Sequence, residues 1–187
     1  MQKVLTATAA LLGQGQSVEM LTTAGIAAAA QVSVGALYRF FPDKQAIVDA
    51  IALRHMEAFQ EAMAARIMLA FPPDPTAFLG AIIDAFAEYL ATHADFRTVA
   101  FGAPGGGRYV SRPTRDAYAG SGEVSEMVRS FLTEAYGMDI TDTFELRLRV
   151  AIEIGDRLLA FAFEQTEAER APIIAEAKRV LATTLFG

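Results

Sequence analysis

Cysteine is absent from all 187 residues, which excludes disulfides and thiolate metal sites and leaves a cytoplasmic setting as the default. Histidine is nearly absent: His55 and His93 are too few to hold a metal without carboxylates, and they read as surface or helix-flank residues. No apolar run is long enough to span a bilayer, so no membrane partner is expected. Residues 1–15 also lack a charged start followed by a cleavable apolar core. No histidine stands near an acid at useful spacing and no paired carboxylates mark a cleft, so neither catalytic residues nor cofactors are expected. A basic excess is missing as well. The net charge is −6, yet Lys3, Arg39 and Lys44 balance Glu19, Asp43 and Asp49 over residues 1–50. The remaining 13 basic and 19 acidic side chains carry all of the negative charge. The amino-terminal part is therefore neutral, which is weak electrostatic support for a nucleic-acid partner.

What is present is helical periodicity, and with little strand alternation the chain reads as all-α with about nine helices. Val4, Ala7 and Leu11 form a stripe that ends at Gly13 and Gly15. Short helices follow over 22–29 and 33–40, and Pro42-Asp43-Lys44 starts a longer one that ends before Pro72, Pro73 and Pro75. Further helices are predicted over 78–90, 93–101, 115–136, 142–164 and 167–185. A small domain over residues 1–46 and a larger one over 47–187 suit this length and pattern.

The segment Leu21 to Lys44, LTTAGIAAAAQVSVGALYRFFPDK, is the most specific in the chain. Thr22 or Thr23 can cap one short helix and Ser33 the next, with a tight turn at Gln31-Val32 between them. Two short helices so joined can place a helix end in the DNA major groove. Thr22, Ile26, Ala27, Ala30, Val32, Ser33, Gly35, Leu37, Tyr38, Phe41 and Lys44 match in order, without a gap. On these eleven positions the segment resembles the helix-turn-helix of the tetracycline repressor (TetR) family.

Ile26, Ala27, Ala30, Val32 and Leu37 are apolar and should form the small core that sets the angle between the two helices. Val34, Gly35, Ala36, Tyr38 and Arg39 are left for the groove side, the small residues allowing close approach of the backbone. The resemblance implies that Thr22, Thr23, Ser33, Val34, Gly35, Ala36, Tyr38, Arg39 and Lys44 contact double-stranded operator DNA, with Lys44 on a phosphate. Ala24, Gly25, Ala28 and Ala29 stand where family members commonly carry polar or charged groups. The family's usual basic arm does not precede the first helix. Either the true start lies upstream or the grip on DNA is modest and shallow in salt.

A helix-turn-helix reads a short half-site, so a two-fold dimer is expected. Leu146, Leu148, Val150, Ile152, Ile154, Leu158, Leu159, Phe161 and Phe163 are too many for one stripe. One face can serve the chain's own core and another a partner, with Gly155 allowing close helix approach. The resemblance implies a homodimer through residues 142–185 and a carboxy-terminal domain that both dimerises and encloses a small-molecule effector. Candidate pocket residues are Phe59, Met63, Phe86, Tyr89, Phe96, Arg97, Phe101, Met127, Phe131, Glu153 and Arg157. Tyr109, Arg129 and Tyr136 belong to the same pool, and Glu153 and Arg157, four apart, can instead simply pair. The stretch GAPGGGRY at 102–109 lacks the Lys and Ser/Thr of a phosphate loop and reads as a connector. Together these features predict a transcriptional regulator, a repressor released from DNA by a small hydrophobic effector. The alternative is a helical dimeric ligand-binding module with little DNA binding.

Overall fold

The computed structural model describes residues 1–102 and 123–187, and all regular structure among them is helical. In chain order the helices are α1 (Gln2–Gly13), α2 (Thr23–Ala29), α3 (Val34–Tyr38), α4 (Lys44–Leu69) and α5 (Pro75–Thr92). They are followed by α6 (Ala94–Phe101), α7 (Glu123–Tyr136), α8 (Asp142–Glu164) and α9 (Glu167–Phe186). The helix expected from residue 115 is described only from Glu123, and the GAPGGGRY stretch beyond Gly102 lies outside the described residues, as does Tyr109. α5 begins at Pro75 rather than near 78, because Asp74 Oδ1 accepts the Ala77 N–H at 2.8 Å and Pro75 needs no donor in a first turn.

Two compact units are formed. One comprises Met1–Gln60 and the described residues from Tyr89 to Gly102; the other comprises Glu61–Glu88 and α7 to α9. In the first, Val4, Leu5 and Leu12 of α1 share an apolar core with Ile26, Ala27, Leu37, Ile47, Val48 and Val99. Ile26 and Leu37 are fully buried, worth roughly 2 kcal/mol each relative to exposure. That core fixes α2 and α3 on a shared base. Thr98 Oγ1 of α6 reaches the Leu12 carbonyl at 3.4 Å, joining α6 to the end of α1.

In the second unit, Phe144, Leu148, Ala151, Gly155 and Leu159 are buried at helical spacing along α8. They face α9, whose Ala177, Leu181 and Leu185 are buried. A Cβ on Gly155 would stand 3.2 Å from Leu181 Cδ1, so this glycine lets α8 and α9 of one chain approach closely. Thr141 caps α8 through the Phe144 N–H, and Thr166 with Glu169 forms a capping box at α9. Phe78 stacks on Phe131 with centroids 4.1 Å apart, and Tyr136 donates to the Pro72 carbonyl at 2.8 Å. Lys178 of α9 pairs with Asp84 of α5. Leu146, Val150 and Phe161 remain 59%, 42% and 43% exposed on the other side of α8.

Candidate nucleic-acid interface

α2 starts where the Thr22 side chain accepts the Gly25 N–H at 3.0 Å, with Thr22 itself in extended backbone. Ser33 does the same for α3, accepting the Ala36 N–H at 3.1 Å. Between them Gln31 takes φ 55°, a left-handed conformation that turns the chain, and Val32 N–H bonds back to the Ala27 carbonyl at 3.0 Å. Ala27, Ala30 and Leu37 are buried and Val32 packs partly buried against them. The small core therefore sits where the periodicity places it.

The opposite side is open. Val34 and Tyr38 are 40% and 50% exposed, and a Cβ on Gly35 would meet nothing within 4 Å. Ala36 is half-buried, while Arg39 is exposed and its guanidinium has no ion pair among the described residues. Thr23 Oγ1 and Tyr38 Oη lie 3.2 Å apart, so one hydroxyl pair ties α2 to α3 on this surface. Thr22 thus takes the cap and Thr23 the contact with Tyr38.

Lys44 is placed differently from the phosphate contact expected of it. Its Nζ donates to the carbonyls of Val18, Glu19 and Leu21 at 2.9, 3.0 and 2.9 Å. All three ammonium hydrogens are thereby used, closing the connection between α1 and α2. Asp43 Oδ1, accepting the Ala46 N–H at 2.8 Å, starts α4 beside it.

The candidate pocket residues divide between the two units. Phe59, Tyr89, Phe96, Arg97 and Phe101 belong to the first; Met63, Phe86, Met127, Phe131, Glu153 and Arg157 belong to the second. Phe59, Met63, Phe86 and Phe96 are buried, and Phe101, Met127 and Phe131 are half-buried. The arginines among them and in the wider pool have structural partners. Arg97 donates to the Leu90 carbonyl at 2.8 Å, and Arg129 bonds Glu126 at 2.6 Å and Glu145 at 3.2 Å. Arg157 lies 3.5 Å from Glu164 instead of pairing with Glu153, which is exposed. The bond from Glu126, ahead of the charge of Glu145, raises the Arg129 pKa despite burial.

His55 is not the surface residue that the sequence suggests, whereas His93, half-buried at the start of α6, is the helix-flank residue expected. His55 of α4 lies 2.9 Å from Tyr89 Oη through Nδ1 and 2.9 Å from Asp95 Oδ2 through Nε2. Its ring stacks on Phe96 at 5.0 Å, and His93 stacks on Tyr89 at 3.9 Å. Burial opposes ionisation of Asp95, but the hydrogen bond and charge of His55 and the Phe96 N–H outweigh it and lower its pKa. Burial, then the Asp95 charge, raises the Tyr89 phenol, with Arg54 acting in the opposite direction. Residues 34 and 40 apart make these bonds, and no local pattern announces them.

Residues 4–51 match the family described as bacterial regulatory proteins, tetR family, and residues 73–187 match the tetracyclin repressor-like C-terminal domain. Sequence comparison finds no match among curated proteins. A TetR-family transcriptional regulator from Streptomyces coelicolor is 26% identical, with a TM-score of 0.74 over 98% of this chain and 96% of that one. The fatty acid degradation regulator FadR from Bacillus halodurans is 13% identical, with a TM-score of 0.70 over 96% of each chain. A TetR regulator from Rhodococcus sp. RHA1 is 15% identical, with a TM-score of 0.64 over 100% of this chain and 95% of that one. The last two show likeness of fold alone. A capped α2–α3 pair with an open outer face, followed by a helical domain that matches the family's own, makes this chain a member of the TetR family of DNA-binding transcriptional regulators.

Proposed function

We propose that this regulator acts in the cytoplasm as a two-fold dimer that sets one α3 into the major groove of each operator half-site. The open surface around Gly35 carries the reading: among the described residues nothing lies within 4 Å of where its Cβ would stand, so the backbone can approach the base edges closely. Val34 and Ala36 would touch base methyl groups, and Arg39 would bind a guanine edge or a phosphate. Thr22, Thr23, Ser33 and Tyr38 would hold the flanking backbone. Lys44 supports the head by fastening the α1–α2 connection. Dimerisation runs through residues 142–185, where Leu146, Val150 and Phe161 leave an apolar face for a second copy. A small apolar effector enters the carboxy-terminal domain, where Met63, Phe86, Met127 and Phe131 supply soft and aromatic surface. Its binding shifts the population towards dimers whose reading heads no longer match the operator spacing, so repression is released.

Selection of bound DNA from a random pool, followed by footprinting, tests this reading. The expected product is a pseudo-palindrome with half-sites about one helical turn apart. Arg39→Ala should weaken binding by about 1–3 kcal/mol. Failure of any sequence to enrich would favour the non-DNA-binding module instead.

A further inference from the structure

Within the first unit there is a cavity of 360 Å³. Thr6 and Ala9 of α1, Ile51 and Arg54 of α4, and Tyr89 and His93 at the α5–α6 corner line it. This volume falls in the range of small-ligand sites. Its walls are held in place: the Tyr89–His55–Asp95 chain is bonded at both ends, and His93 stacks on Tyr89 while its Nδ1 lies 2.9 Å from the Tyr89 carbonyl. Asp95 is satisfied by His55 Nε2 and by amides of its own helix start. One charge at the cavity remains unmatched. Among the described residues the Arg54 guanidinium has neither an ion pair nor a hydrogen bond, although it lies close enough to influence the Tyr89 phenol.

An exposed, unpaired guanidinium in a lining that also holds Tyr89, His93 and Ile51 is suited to a carboxylate that carries a small flat apolar body. We propose that this cavity binds a small aromatic carboxylate, with Arg54 holding the carboxylate and the Tyr89–His93 stack and Ile51 flanking the ring. The site is separate from the effector position proposed above, since its lining comes wholly from the unit that contains α1 to α3. Its ligand lies directly against α1, whose Val4, Leu5 and Leu12 share the core of the reading head.

The chain has only two histidines, and both line this cavity, so their ring-proton resonances report on it without interference. Benzoate titrated into the full-length protein at millimolar concentrations should shift both sets of resonances saturably. Neutral benzamide should bind about tenfold more weakly or worse, as should benzoate with Arg54→Gln, because the charge-assisted contact is lost in each case. Ala58→Trp, which places a large ring at an exposed lining position, should abolish the shifts while leaving the helical circular dichroism unchanged. Equal affinity for benzamide, undiminished binding by Arg54→Gln and Ala58→Trp, or absence of any saturable shift with benzoate would each overturn the assignment. Binding that stabilises the protein without moving the histidine resonances would place benzoate at the effector position instead, and so would also count against this site.

Discussion

Among the described residues the outer faces of α2–α3 and of α8 are both open, yet their side chains differ. Around Gly35 the exposed surface mixes the small Ala24, Gly25, Ala28 and Ala29 of α2 with Val34 and Tyr38 of α3, and it carries one exposed cation, Arg39, at the end of α3. Along α8 it is large and apolar, with Leu146, Val150 and Phe161 standing out of a helix whose other side is already buried. Small residues bring a backbone close to another polar surface, where hydrogen bonds decide the fit. Bulky apolar residues have something to gain only from removal of water, which a second apolar face supplies. The contrast separates the proposed reading surface from the proposed pairing surface, and each can be broken without touching the other.

The largest effect should come from beneath the reading face. Leu37→Ala removes a fully buried side chain from the core under α3 and should destabilise the first unit by about 3 kcal/mol, measured by chemical denaturation. Next, Val150→Glu with Phe161→Glu should convert the dimer to monomer in sedimentation and weaken operator binding by about a hundredfold, with little change in helix content. Ser33→Ala deletes the α3 cap and should cost about 1 kcal/mol of stability, with operator affinity falling as α3 frays. The smallest effect concerns pH. Asp95 ionises more readily in the folded protein than in the unfolded chain. Its contribution is therefore complete above the ordinary carboxylate range and lost as pH falls from that range through its lowered folded value. Thermal melting of Asp95→Asn should accordingly approach that of the unaltered protein as the solution is acidified through this window.

The reading head was legible because its determinants are local. Caps at Thr22 and Ser33, buried Ile26 and Leu37 and the turn at Gln31 all lie within one short window, where spacing alone predicts which side faces inward. That α8 has one side for its own core and another left open was also expected, but which residues fall on each was not: of the nine apolar residues singled out, only Leu148 and Leu159 are buried. Lys44 was not, because its three acceptors are backbone carbonyls more than twenty residues away. A cation near a DNA-binding motif suggests phosphate by composition, but only the fold shows that its donors are already used. The His55 network was hidden for a related reason: its partners meet only when α4, α5 and α6 come together. Residue type predicted neither its burial nor its bonds.

With the Lys44 ammonium bonded to carbonyls, Arg39 is the exposed cation of the proposed reading surface on α2–α3. The most direct measurement is the slope of operator affinity against salt concentration for residues 1–187. Few neutralised phosphates per dimer predict a slope of roughly −2 to −4 on logarithmic axes. A slope of about −8 or steeper would contradict the account, because it would require charged contacts that this reading head does not present.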